Sequence, residues 1–493
     1  MRVLVLTDEV PSPASPSSAA ASLHALLLQL RRRGHSLTVA TGAAVGVAPS
    51  DLAQPWPVHH AEDLRSAGRQ ALDRFGADVA IVVDRRLQPI DFSPSGAAPA
   101  IVHYEATAEP DARASTAATS GLLFAAGSVQ LMQHYRQRTG IGGLVVPPRP
   151  PGERAVGTAP RPVKRVDRFE ALLIAARPGL APARGRLVDL ERRPRKAPAV
   201  TRSDIGWMEH LQKQIAAIAN ATDRDLPDLA RRFANPADRP TATAMAQAVG
   251  LPLTPHAAQL ARAAAVHRQE CILQCLKAYA PGGWRPAIVM VGRQHVERAL
   301  AQGRGAIVWA IHTAFASNIV KMAMHAASWR LSQVSRPEHG LSDSEFGMAC
   351  LNRVRTDFEN RFLVQRIRID RSRPASAMIA ARRSLTRNEL VAFTAGDFEG
   401  ARAVEQAFPG GVLRLATGPI RLALLSGAPV LPVAAVRRAD GAFVVRVEPP
   451  LDLGAGKSEE DRLIAGSAQL GGHIMRIMIR HPDQLRGWTS LGA

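Results

Sequence analysis

Residues 292–318 read GRQHVERALAQGRGAIVWAIHTAFASN. Within them Ala306–Ile311 is an unbroken apolar run of strand length, and Phe315–Trp329 has the spacing of a helix. A strand that is apolar at every position is buried on both faces, as in a parallel sheet covered by helices. His312 stands just past the strand, at the mouth of the next helix. Ligands in open α/β sheets collect at the carboxyl ends of the strands, so a general base belongs here.

Working outward, the same alternation continues on the C-terminal side. Leu331–Ser335 reads as a strand, Ser344–Glu359 as a helix, Ala375–Leu385 as a helix and Leu390–Thr394 as a strand. Gly418–Leu425 precedes a strand at Val430–Val436, a hairpin turn at Ala439–Gly441, a strand at Phe443–Val447 and a last helix at Glu459–Arg480. On the N-terminal side come helical patterns at Ile205–Ala219, Leu226–Phe233, Ala242–Val249 and Pro255–Tyr279. Residues 204–493 therefore form one α/β unit with a helical lead-in.

Residues 1–148 make a second α/β layer. Arg2–Leu6, Ser36–Ala40, Asp78–Val83, Pro99–His103, Gly121–Ala125 and Gly143–Val146 read as strands. Helical spacing fills Ala19–Arg33, Ala61–Phe75 and Val129–Arg138, with Gly34 where a helix C-cap belongs. Between the units, residues 149–203 read as a linker. Residues 151–200 carry seven prolines and twelve basic side chains against five acidic ones, densest at ERRPRKAP. Such a segment is a plain linker or a solvated tether that brushes anionic membrane; no recognised module flanks it to favour nucleic acid.

A length of 493 residues gives room for two to four domains with real cores. Hydrophobic residues at 46% and charged ones at 21% exclude wholesale disorder, and aromatics at 4% are too sparse for stacking platforms. The net charge of +20 is the outlier, and only six of the 62 basic residues are lysines. That surface attracts anions. Three cysteines exclude a disulfide scaffold, and none has zinc-site spacing, so no metal is expected. Cys271 and Cys275 share a helical face and read as core. No segment reaches the ~20 apolar residues of a membrane span, and MRVLVLTDEV reads as a strand rather than a signal peptide. A soluble or peripheral protein in a reducing compartment is expected.

Further blocks add to His312. VSRPEHG carries Arg336, CLNRVR carries Arg353 and Arg355, VAFTAGDFEGAR carries Asp397 and Glu399, and TGPIRLALLSGAPVLPV carries Gly418. In this order they resemble the lysophospholipid acyltransferase superfamily, nearest the lipid A lauroyl/myristoyl acyltransferases and their phosphatidylinositol mannoside acyltransferase relatives. The resemblance covers about residues 289–453. It implies transfer of a fatty acyl chain from acyl carrier protein or coenzyme A to a hydroxyl of a glycolipid or phospholipid, with no cofactor beyond that donor. Expected partners are a lipid acceptor, an acidic acyl carrier protein and an anionic membrane, at the cytoplasmic face of the inner membrane. Upstream, MRVLVLTDEVPSP with LLLQLRRRGHSLTVATG resembles the N-terminal domain of GT-B glycosyltransferases, without the donor-binding second half of that fold.

The family pairs its histidine with a Glu or Asp five positions on: the imidazole takes the acceptor's proton while the carboxylate fixes its tautomer. Here position 317 is Ser. The resemblance therefore implies His312 as base, with Asp397 or Glu399 in the acid's part and Arg336, Arg353 and Arg355 holding phosphates. Gly418 shapes the turn into its helix. The alternatives are a catalytically inactive lipid-binding relative, favoured by Ser317, and a sugar-nucleotide function of the N-terminal domain. His339 with Asp343 has the wrong spacing and reads as surface loop.

Overall fold

The computed structural model describes residues 1–7, 18–41, 56–61, 63–83, 100–105, 123–126, 143–145, 165–190, 197–235, 243–245, 255–370, 372–395, 402–409, 411–454 and 457–487. The expected helix at Val129–Arg138 and most of that at Ala242–Val249 lie outside them.

Seven strands build the N-terminal layer: β1 (Arg2–Leu6), β2 (Ser36–Thr41), β3 (Val58–His60), β4 (Val79–Val82), β5 (Ala100–Glu105), β6 (Leu123–Ala126) and β7 (Gly143–Val145). Their order is β3-β2-β1-β4-β5-β6-β7, and every pairing is parallel. The order reverses between β1 and β4, the arrangement of a Rossmann-like sheet. Helices α1 (Ser18–Arg32) and α2 (Leu64–Phe75) cover it. Asp63 starts α2 by accepting the Ser66 amide at 2.9 Å, and Gly76 ends it in the left-handed conformation.

The stretch expected as a linker is partly structural. It contains α3 (Arg165–Ala176) and β8 (Arg186–Asp189). Phe169, Leu172, Leu173 and Ala176 follow the spacing of one helical face, and all are buried. Averaging composition over fifty residues hid that local period. The helix packs between β5–β7 and the last helix of the chain. At its polar edge, Glu170 takes His35 Nε2 at 2.9 Å, Arg184 at 2.9 Å and Arg33. Burial pushes the Glu170 carboxyl up, but the bonds from His35 and Arg33 and the charge of Arg184 outweigh it and hold it at about 2.

The C-terminal unit opens with α4 (Arg202–Ile218), α5 (Leu226–Phe233) and α6 (Pro255–Lys277). A capping box between Thr201 and Asp204 starts α4. A seven-stranded sheet then follows, built from β9 (Ile288–Val291), β10 (Ala306–Ile311), β11 (Leu331–Ser335), β12 (Gln365–Arg368), β13 (Leu390–Ala395), β16 (Val430–Arg437) and β17 (Phe443–Val447). The order is β12-β11-β13-β10-β16-β17-β9, with one antiparallel pair, β16–β17. Central β10 is buried at every position, and Trp309 is 1% exposed. Gly305 opens β10 at φ +64, where an added Cβ would lie 2.4 Å from the Glu389 carbonyl.

Helices α7 (Arg293–Leu300), α8 (Ala316–Ala326), α9 (Arg353–Asn360), α10 (Pro374–Thr386), α11 (Gly418–Ser426) and α12 (Glu459–Arg480) complete the unit. The single helix expected at Ser344–Glu359 is divided into a π-helical turn at Gly347–Leu351 and α9. The Asn352 carboxamide oxygen accepts the Leu341 and Ser342 amides at 2.6 and 2.9 Å, which ties the preceding loop against the break. A third sheet, β15-β14-β8, pairs the hairpin β14 (Arg402–Phe408) and β15 (Gly411–Ala416) with the strand from the expected linker. α12 presses close to that segment at Gly472, where a Cβ would meet Pro178 at 2.9 Å.

Candidate active site

The loop after β10 is held from two sides. Thr313 Oγ1 donates to the Ala435 carbonyl at 2.5 Å, tying it to β16. The chain beyond α12 lies along its other side: the Arg486 amide donates to the His312 carbonyl at 2.9 Å, and the Ala314 amide to the Gln484 carbonyl at 2.7 Å. Gln484 is anchored in turn by accepting the Arg437 amide at 2.8 Å. The loop is therefore fixed by pairing that is distant in sequence, and nothing local announces it.

His312 is partly buried, its Nδ1 is shut off from solvent, and among the described residues that nitrogen has no hydrogen-bond partner. Burial lowers its proton affinity, and the charges of Arg486, Arg355, His339 and Arg336 lower it further, well below the ordinary imidazole range. Both effects favour the neutral ring. It can take a proton, but its described surroundings disfavour the imidazolium.

Ser317 occupies the second position of α8. Its Oγ accepts a hydrogen bond from Arg355 Nη2, and its carbonyl accepts one from Lys321 Nζ at 2.6 Å. The position five past His312 is thus engaged by a cation. Arg355 is itself fixed by Glu359, Nε to Oε1 at 3.0 Å.

Glu359 is fully buried and is the hub of the region. Arg366 reaches it at 2.8 Å, His339 at 2.9 Å and Lys321 at 3.3 Å. Burial would raise its carboxyl, but His339, Lys321 and Arg355 outweigh that and hold it well below the usual range. Burial brings Lys321 down to about 8 against the pull of Glu359. His339, expected on a surface loop, is part of this cluster because its loop folds back onto α9. Neither Glu359 nor His339 carried a recognisable spacing in the sequence: they come from an element and a loop twenty residues apart.

The other expected residues divide. Arg336 is partly buried and acts on His312. Arg353 is 69% exposed and pairs with Asp357 at 3.0 Å on the solvated face of α9, away from the cluster. Gly418 is the first residue of α11, with open space where a Cβ would sit. Asp397 and Glu399 lie outside the described residues. The last described residue before them, Ala395, is in register with Ile311, the residue before His312.

Beside this cluster is a cavity of about 310 Å³. Its walls come from α4, α6, α9, the loop at Gly340 and the segment after α12. Arg268, Arg355 and Arg486 line it together with Trp207, Cys271, Ile272, Cys275, Leu341 and Val354. Cys271 and Cys275, read as core, are buried, and Asn318 Nδ2 lies 3.3 and 3.4 Å from their sulfurs. Arg355 and Arg486 face both this cavity and His312.

Residues 281–476 match the family described as bacterial lipid A biosynthesis acyltransferase. No curated protein matches the chain. The matched segment runs from β9 through most of α12 and includes His312, Ser317 and Glu359. Over it the chain is similar to enzymes of acyl transfer onto a lipid. Among the described residues, no helix is long and apolar enough to cross a membrane.

Proposed function

We propose that this protein is an O-acyltransferase that moves a fatty acyl chain from acyl carrier protein or coenzyme A to a hydroxyl of a glycolipid or phospholipid. His312 is the general base. Its neutral imidazole takes the acceptor's proton as the oxygen attacks the thioester carbonyl; the intermediate collapses, and the leaving thiolate recovers that proton as a thiol. The observation that carries the reading is a histidine at the carboxyl end of a central strand, its buried Nδ1 without a partner among the described residues, acted on by Arg355 and Arg486, which also line a cavity of mixed cationic and apolar lining. Asp397 or Glu399 orients the ring in place of the acid that Ser317 replaces. Support is the register that ends β13 level with β10.

The acceptor is met at an anionic membrane surface, on the cytoplasmic face. Along α4, Ile205, Met208 and Ile215 are 55%, 42% and 56% exposed, at the spacing of one stripe. Basic Arg202 and Lys213 are exposed on the same helix, and Trp207 joins it to the cavity wall. The test uses the full chain with acyl-coenzyme A or acyl carrier protein donors and a lipid extract as acceptor. Transfer is expected, with His312→Ala about 100-fold slower or worse at unchanged melting temperature. Full turnover by that variant removes His312 from the role, and absence of transfer from every donor leaves the lipid-binding alternative.

A further inference from the structure

We propose that the cavity lined by Arg268, Arg355 and Arg486 is an anion subsite, in which these arginines hold a phosphate-class group of the substrate, and that this group adds negative charge near His312 beyond any that the loop of Asp397 and Glu399 supplies. The inference rests on the acyltransferase reading and deepens it. Two of the three arginines, Arg268 and Arg486, lie outside the residues that match the lipid A acyltransferase family.

The argument is one of charge balance. The described cations around His312 come from several sides: Arg486 from the segment after α12, Arg355 from α9 and Arg336 from the loop after β11. Three of the described carboxylates nearby are committed to other side chains. Glu359 serves Arg355, Arg366, Lys321 and His339. Glu270 takes Arg437, and Asp483 takes His267 at 3.0 Å. Arg268 lines the cavity with no hydrogen bond or ion pair among the described residues. A guanidinium without a counter-charge in a walled cavity is the arrangement that takes a phosphate by paired, charge-assisted hydrogen bonds.

The consequence reaches the base. Arg355 and Arg486 face both the cavity and His312, so an anion between them offsets the charges that oppose protonation of the imidazole. The free protein holds a weak base, and the loaded one a stronger base. Orientation of the ring by the loop of Asp397 and Glu399 is a separate contribution. A phosphate-class group exists in both substrates, as the phosphates of a pantetheine-type donor and as those of a phospholipid or glycolipid acceptor.

The first experiment needs no turnover. Inorganic pyrophosphate is titrated into the full chain by calorimetry, and the His312 ring is followed by NMR in histidine-labelled protein. Binding is expected, with the His312 titration midpoint rising by a unit or more at saturation. Arg268→Gln, which keeps much of the side-chain stem, should weaken binding tenfold or more; Arg268→Ala is the second variant, and both are checked for an unchanged melting temperature. Absence of binding, binding that Arg268 variants leave intact, or an unmoved His312 midpoint overturns the proposal.

Kinetics then assign the source. If the donor supplies the group, Arg268→Gln raises KM for an acyl-coenzyme A at least tenfold and leaves that of the phosphate-free N-acetylcysteamine thioester unchanged. If the acceptor supplies it, KM for the phosphorylated acceptor rises with either donor. In wild type, the acid limb of kcat, which reports the loaded enzyme, should lie at higher pH than that of kcat/KM, which reports the free one. If no donor and acceptor pair turns over, the acyltransferase reading fails, while the pyrophosphate titration still decides the subsite.

Discussion

The two large sheets of this protein have seven strands each and central strands of similar apolar character, RVLVL in β1 and AIVWAI in β10. At their carboxyl ends they differ. Among the described residues β1 and β4 are followed by Thr7 and Val83, whereas β10 and β11 are followed by His312 and Arg336. Behind the latter pair lies a buried carboxylate that collects Lys321, Arg355 and Arg366 together with the His339 ring. The layers bury apolar surface in the same way; the chemistry depends on what is mounted on the strand ends.

The largest effect expected from this contrast is on stability. Glu359→Ala leaves Lys321, Arg355 and Arg366 buried without their shared counter-charge, which costs about 3–5 kcal/mol. Thermal or denaturant unfolding should show the C-terminal unit destabilised. An unchanged midpoint would mean that the cluster is not buried in solution and that the sheet ends differ less than described.

Next in size is the carboxylate partner of the base. Asp397→Asn or Glu399→Gln should slow acyl transfer about as far as His312→Ala does, roughly 100-fold. Adding a carboxylate by Ser317→Glu should then help little. If both amide variants turn over like wild type, Ser317 and its bond from Arg355 are all that remains to fix the loop.

A smaller effect concerns the contact joining the two units. The Glu170 carboxyl is held at about 2, below its unfolded value, so its contribution is complete above about pH 5 and is lost as pH falls toward 2. Glu170→Gln should lower stability near pH 7 and bring the variant and wild-type melting curves together in that acid range. Parallel curves down to pH 2 would show that the contact with His35, Arg33 and Arg184 carries no net charge-dependent stability.

The smallest expected effect is none. Sugar nucleotides should undergo neither hydrolysis nor transfer, because the sequence carries no recognisable donor-binding second half to complete a site on the N-terminal layer. Turnover that disappears when residues 1–148 are removed would overturn the contrast from the other side.

Much of this was legible from one dimension. Local period marks a buried strand or an amphipathic helix because apolar spacing of two or 3.6 is a property of contiguous residues. On that basis β1, β10, β11, β16, β17 and α12 could be placed closely, and His312 could be singled out by its place after an apolar run. The helix α3 had the same signal at Phe169, Leu172, Leu173 and Ala176 and was hidden only by the prolines and arginines around it.

Sequence alone also settled that position 317 has no carboxylate. What surrounds that gap was decided by tertiary structure. The bond from Arg355 to Ser317, the burial of Glu359 and His339 together, and the cavity wall of Arg268 and Arg486 join α6, α9, the loop after β11 and the chain end. Charge balance at a site is a sum over neighbours in space, and burial sets the weight of each charge. Neither quantity is written in the spacing of residues along the chain.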